Sequence, residues 1–163
     1  MMDISLKDTK IAGYWATARE NTLDDCVSEL HYFMTSLESL YPGGYWRIMR
    51  EAPQRLGANV ENSTPGLTDL LLGQLEGAKT PDADALFGYY FNLEYLGSLP
   101  IIVQGCVGIQ TDNKNFKNFV LIKFWRDPEV PESSQGELTL ESGHQLLETI
   151  IRCWSPHLAT WTT

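Results

Sequence analysis

From Leu23 to Leu40 the apolar residues fall at Leu23, Cys26, Val27, Leu30, Phe33, Met34, Leu37 and Leu40. That is the 3.6-residue period of an amphipathic helix. Thr22 stands where a capping side chain belongs, with Asp25 three residues on in a capping-box role. Pro42, Gly43 and Gly44 close the helix. A second, shorter stripe runs through Leu67, Leu70, Leu71 and Leu75. Thr64 is its predicted N-cap, Pro65 its first-turn proline and Gly77 its stop. A third is predicted after Thr139, with Leu140, Leu147, Ile150, Ile151 and Trp154 as its apolar face and Pro156 beyond its end.

Elsewhere the period is two. Tyr89, Phe91, Leu93 and Tyr95 alternate with Tyr90, Asn92 and Glu94, a half-buried strand. The runs LPIIVQGCVGIQ and FKNFVLIKFW flank the Asn/Asp-rich turn TDNKN and read as a hairpin. KIAGYWATA predicts a first strand, YWRIMRE a short second one and HLATWTT a terminal one. In the first of these the aromatics Tyr14 and Trp15 precede Arg19 and Glu20. The strand is expected to close the core with Trp15, and the Arg–Glu pair to fix the turn into the helix. The expected fold is α+β: one domain over residues 1–163, with an antiparallel meander of four to six strands packed against three main helices. The core is expected to hold Leu30, Phe33, Leu37, Phe91, Val103, Val107, Leu121, Leu147 and Ile151.

The 163 residues, 43% hydrophobic and 20% charged, suit one ordinary globular domain. The formal net charge of −9 sets the chain against direct nucleic-acid binding and in favour of a basic partner. The N-terminal stretch lacks the basic region and apolar run of a signal peptide, and no segment approaches a membrane span. Cytoplasmic residence without membrane contact is the expectation. Cys26, Cys106 and Cys153 are odd in number and widely spaced. They point to reduced, partly buried thiols and away from a disulfide framework or a zinc site.

Candidate chemistry is sparse. The sequence has no P-loop, GxGxxG, HExxH or GxSxG pattern. His31, His144 and His157 stand apart, and Cys153 with His157 is a one-turn pair interrupted by Pro156. Asp82 and Asp84 alone are too few ligands for a metal. No catalytic group, cofactor or metal is therefore expected.

The charge is uneven. Glu61, Asp69, Glu76, Asp82, Asp84, Glu94 and Asp112 face Lys79 alone between residues 61 and 113. Asp127, Glu129, Glu132, Glu137, Glu141 and Glu148 face Arg152 alone after residue 126. The bases Lys114, Lys117, Lys123 and Arg126 gather at the predicted hairpin. An acidic face of this kind is either plain solvated surface or a steering surface for a basic partner. If it binds, the candidate residues are the loop acids Asp127, Glu129, Glu132 and Glu137, then Glu61, Glu94 and Asp112. Trp46 and Tyr90 are the aromatics expected to be exposed beside them.

Several of these features occur together in one family. Tyr14, Trp15, Arg19 and Glu20, a first helix bearing Cys26, Gly105 in a central strand, and a last helix running into WSPHLATW together resemble the bacterial immunity proteins of polymorphic toxin systems, immunity protein family 52 in particular. The resemblance covers most of the chain in outline. It implies a non-enzymatic cytoplasmic inhibitor whose partner is a cognate secreted toxin, a nuclease of the restriction-endonuclease type delivered by type VI secretion. It carries over no set of binding residues and leaves the oligomeric state open. The competing expectations are a small ligand-binding or enzymatic α+β domain with a pocket between sheet and helices, and a structural adaptor.

Overall fold

The computed structural model describes residues 9–15, 22–49, 57–73, 88–97, 99–108, 118–124 and 139–162. They form the α+β arrangement expected, three helices on one side of a six-stranded antiparallel sheet. The elements in chain order are β1 (Lys10–Tyr14), α1 (Leu23–Leu40), β2 (Tyr45–Ile48), α2 (Thr64–Leu71), β3 (Tyr89–Leu96), β4 (Ile101–Val107), β5 (Phe119–Phe124), α3 (Leu140–Trp154) and β6 (Leu158–Thr162). The sheet order is β2-β3-β4-β5-β1-β6. The meander holds from β2 to β5, and β1 then slots between β5 and β6.

α1 begins as its sequence dictates. Thr22 Oγ1 accepts from the Asp25 N–H at 3.2 Å, and the Asp25 carboxylate accepts from the Thr22 N–H at 3.0 Å, so two otherwise orphaned donors are satisfied reciprocally. Its buried stripe is Cys26, Val27, Leu30, Phe33, Met34 and Leu37. α2 departs from expectation at both ends. Its cap is Ser63, in extended backbone with Oγ accepting from the Gly66 N–H at 3.2 Å, so Thr64 is already helical. It stops at Leu71, because Gly73 takes φ 72° and donates back to the Leu70 carbonyl. Leu75 and Gly77 lie outside the described residues.

The α3 face is also corrected. The buried residues are Gly143, Leu146, Thr149, Ile150, Cys153 and Trp154, while Leu147 is only partly buried and Leu140 and Ile151 are exposed at 63% and 47%. The packed stripe is rotated from the expected one because the helix lies close on β1 and β6. A Cβ at Gly143 would stand 2.5 Å from the Trp161 ring, and one at Gly13 would stand 2.8 Å from Ile150. Ser155 then ends the helix in the left-handed region at φ 45°.

On the sheet, strict alternation decides what is core. The pairs Val103↔Ile122 and Gly105↔Val120 turn Val120, Ile122 and Phe124 toward the helices and put Leu121, expected in the core, on the other face. Gly105 stands opposite Phe91, and a Cβ there would run into the Phe91 ring. The glycine in this central strand therefore makes room for an aromatic on its neighbour. Trp15 is buried at 3%, as expected, while Arg19 and Glu20 lie outside the described residues. Phe33 and Trp154 join α1 to α3, their ring centroids 4.4 Å apart.

Candidate binding surface

Beyond the helices, the sheet presents an outer face in three cross-strand rows. One row runs Tyr90, Cys106, Phe119, Tyr14, Leu158; the middle runs Asn92, Gln104, Leu121, Ala12, Thr160. The third runs Arg47, Glu94, Ile102, Lys123, Lys10, Thr162. Tyr90 is 56% exposed, as expected, and Tyr14, Tyr45 and Leu158 are exposed on the same face. Period-two reading of β1 and β2 could have found Tyr14 and Tyr45, since each is in phase with Tyr90 across the register.

Two expected contact residues are corrected. Glu94 is buried on this outer face at 6%, and its carboxylate is ion-paired with the Arg47 guanidinium from the adjacent strand. It neutralises a neighbour and is not displayed to a partner. Trp46 points into the helix side at 3% exposure. Its indole N–H donates to Glu38 Oε1 at 2.9 Å, and its ring stacks at a tilt on Tyr95, centroids 4.7 Å apart. Glu61 is exposed immediately ahead of α2. Asp112, Asp127, Glu129, Glu132 and Glu137 lie outside the described residues, as do Asp82 and Asp84.

The described charges separate by layer. On the outer sheet face Lys10, Arg47 and Lys123 stand with Glu94 alone, and Lys10 is paired directly opposite Lys123. The helix layer carries Asp24, Asp25, Glu29 and Glu38 on α1, Asp69 on α2, Glu141 and Glu148 on α3 and Glu61 beside them. Among the described residues its one Lys or Arg is Arg152, whose guanidinium lies over the Tyr32 ring at 5.9 Å. Counting acids along the chain exposed the asymmetry after residue 60 but missed the acids of α1, which only the packing brings onto one side with the others.

A polar network fixes this layer. Asn62 Oδ1 accepts from the His31 Nδ1–H at 2.8 Å, and its amide nitrogen donates to Thr35 Oγ1 and to Glu38 Oε1, each at 3.2 Å. The Tyr95 hydroxyl accepts from the Gly44 N–H at 3.1 Å and donates to the Tyr41 carbonyl. Burial raises the Tyr95 and Tyr41 phenols above their usual 10.0.

The Cys153 thiol offers little nucleophilic character. Cys26 and Cys153 are buried, and desolvation raises the Cys153 thiol, which favours the unreactive protonated form. Ser155 breaks the helix between Cys153 and His157, so the one-turn spacing of that pair is not realised. His144 is exposed and meets Trp161 edge-on at 5.5 Å. Among the described residues no three His, Cys, Asp or Glu side chains group in a way that could hold a metal ion, and no helix is long and apolar enough to cross a membrane. No family model matches the chain, and no curated protein matches it.

Proposed function

We propose that this protein is a binding inhibitor: a cytoplasmic immunity protein that holds and neutralises a cognate secreted toxin, a nuclease effector delivered by type VI secretion. The observation that supports it is the separation of charge by layer, with carboxylates from all three helices on one side and Arg152 as that layer's described Lys or Arg. A nuclease presents a basic surface to its polyanionic substrate, so an acidic surface fixed on rigid helices can steer toward that surface and cover it. The toxin-binding residues proposed are the helix-layer acids, Glu61 first, together with the loop acids Asp127, Glu129, Glu132 and Glu137. The resemblance to immunity proteins supports the same reading.

The test is co-expression with the toxin encoded beside it, scored by rescue of growth. Rescue is expected, and a stable complex should be recovered with it. Failure of the chain both to rescue growth and to bind that toxin sinks the proposal.

A further inference from the structure

The two edges of the sheet differ. Beside β2, residues 58–60 complete the pairing. The Ile48 N–H donates to the Ala58 carbonyl at 2.9 Å, the Val60 N–H donates to the Trp46 carbonyl at 3.0 Å, and Arg47 bridges Asn59. Beside β6, no described residue hydrogen-bonds the outer edge. The groups left there can be named. The Trp15 N–H donates to the Asn118 carbonyl, so by the alternation of an antiparallel ladder Lys10, Ala12 and Tyr14 aim their backbone groups at β6. Their partners Thr162, Thr160 and Leu158 face back toward β1. Ala159 and Trp161 therefore direct both N–H and C=O outward.

α3 flanks this edge with a second apolar stripe. Arg152 lies over Tyr32, and Ser142 stands beside the Tyr41 hydroxyl, so that flank of the helix faces α1. His144 meets Trp161, so the opposite flank faces β6. Leu140, Leu147 and Ile151 share the His144 flank at helical spacing, with Leu140 and Ile151 largely exposed. The edge strand LATWT and this stripe carry no Lys, Arg, Asp or Glu. The strand also lacks the lysine or proline that usually guards a free edge.

We propose that β6 and the outer stripe of α3 form a two-fold interface with a second copy of this chain, continuing the sheet from β6 into β6 of the copy. Charge selects the occupant. Two chains of net charge −9 repel over their helix layers and meet without repulsion at an uncharged edge. The strand is also self-complementary. With Thr160 on the two-fold axis, Ala159 stands opposite the second copy's Trp161, small against large, and the outward backbone groups of both exchange hydrogen bonds. Thr160 then meets its own copy in a favourable cross-strand Thr–Thr pair. Leu140, Leu147 and Ile151 pack against the same stripe of the other α3. This inference stands independently of the toxin-binding reading.

Sedimentation equilibrium on the purified full chain tests it. A species of twice the 18.4 kDa chain mass is expected. Leu140→Glu with Ile151→Glu, two exposed positions whose substitution leaves the core untouched, should raise the dimer dissociation constant roughly tenfold or more. The circular dichroism spectrum should stay the same. Ala159→Pro, which removes an outward N–H, should act in the same direction. Tyr90→Glu on the outer sheet face should leave the dimer intact. A chain that is monomeric up to high concentration overturns the proposal, and so does a dimer that the double α3 variant leaves unchanged. If the wild-type chain is monomeric and the double α3 variant loses the toxin, the edge belongs to a different protein and the self-pairing is wrong.

Discussion

Glu94 and Arg47 illustrate how a single side chain changes meaning once its neighbour is known. Along the chain Glu94 is one more acid in an acidic run; in the sheet it is the counter-ion of a guanidinium, with side chains 8% and 21% exposed. Removing Arg47 strands a buried carboxylate. Arg47→Ala is expected to destabilise by about 2–4 kcal/mol, somewhat below a fully buried pair because the arginine keeps some solvent. The paired replacement Arg47→Met with Glu94→Leu should recover most of that in urea denaturation; equal losses in both would show that the pair contributes packing and not charge compensation. Tyr95 is a second such residue. Its hydroxyl joins the Gly44 N–H to the Tyr41 carbonyl, and Tyr95→Phe should cost about 1–3 kcal/mol by leaving those groups unmet. Because burial raises both phenols, the folded state holds their protons more tightly than the unfolded chain. Stability should be intact below pH 10 and fall as pH rises from 10 through the raised folded values. The fall should be shallower in Tyr95→Phe, and an equal slope would remove Tyr95 as a contributor.

At the scale of the elements, α3 separates helix propensity from packing. Gly143→Ala improves intrinsic propensity by about 1 kcal/mol, yet the added methyl meets the Trp161 ring at 2.5 Å. The substitution is expected to lower the thermal midpoint; a rise would mean that Trp161 yields at little cost. Leu146→Ala and Leu30→Ala, both fully buried, should each cost about 2–5 kcal/mol, against less than about 0.5 kcal/mol of monomer stability for Leu140→Ala. Chemical denaturation of the monomer distinguishes them. The α1 boundaries were legible because Thr22, Asp25 and the Pro-Gly-Gly run are local signals, and the meander because β3 alternates in sequence and a polar turn separates the two apolar runs of β4 and β5. The α3 face was not. Leu140, Leu147 and Ile151 are as apolar as Leu146 and Ile150, and only the close approach permitted by Gly143 and Gly13 decides which stripe meets the sheet. Leu121 failed for a related reason: FVLIKF is apolar at nearly every position, so its inward phase is set by Val103 and Gly105 on the neighbouring strand.

Over the whole molecule, the proposed function gives the charge pattern the task of setting how a toxin is met. Replacing Glu61, Asp69, Glu141 and Glu148 with their amides should slow association with the toxin and flatten its salt dependence. Solvent-facing acids of this kind should contribute little to stability. Replacing Lys10 and Lys123 with Gln should leave association unchanged; a larger effect from the lysines than from the acids would move the interface to the outer sheet face. The tyrosines and lysines of that outer face became legible as a group only through register, since β1, β3 and β5 are far apart in sequence. The position of β1 between β5 and β6 also governs the order of events during synthesis. β1 leaves the ribosome first, yet its neighbours are the fifth and sixth strands, and it has no sheet partner until Phe119–Phe124 has emerged. The β2–β5 ribbon can assemble as soon as it is made, with the flank of β5 bare and β1 waiting as an unpaired segment. Until β1 docks and β6 closes over it, that bare flank is the place where nascent chains would add to one another.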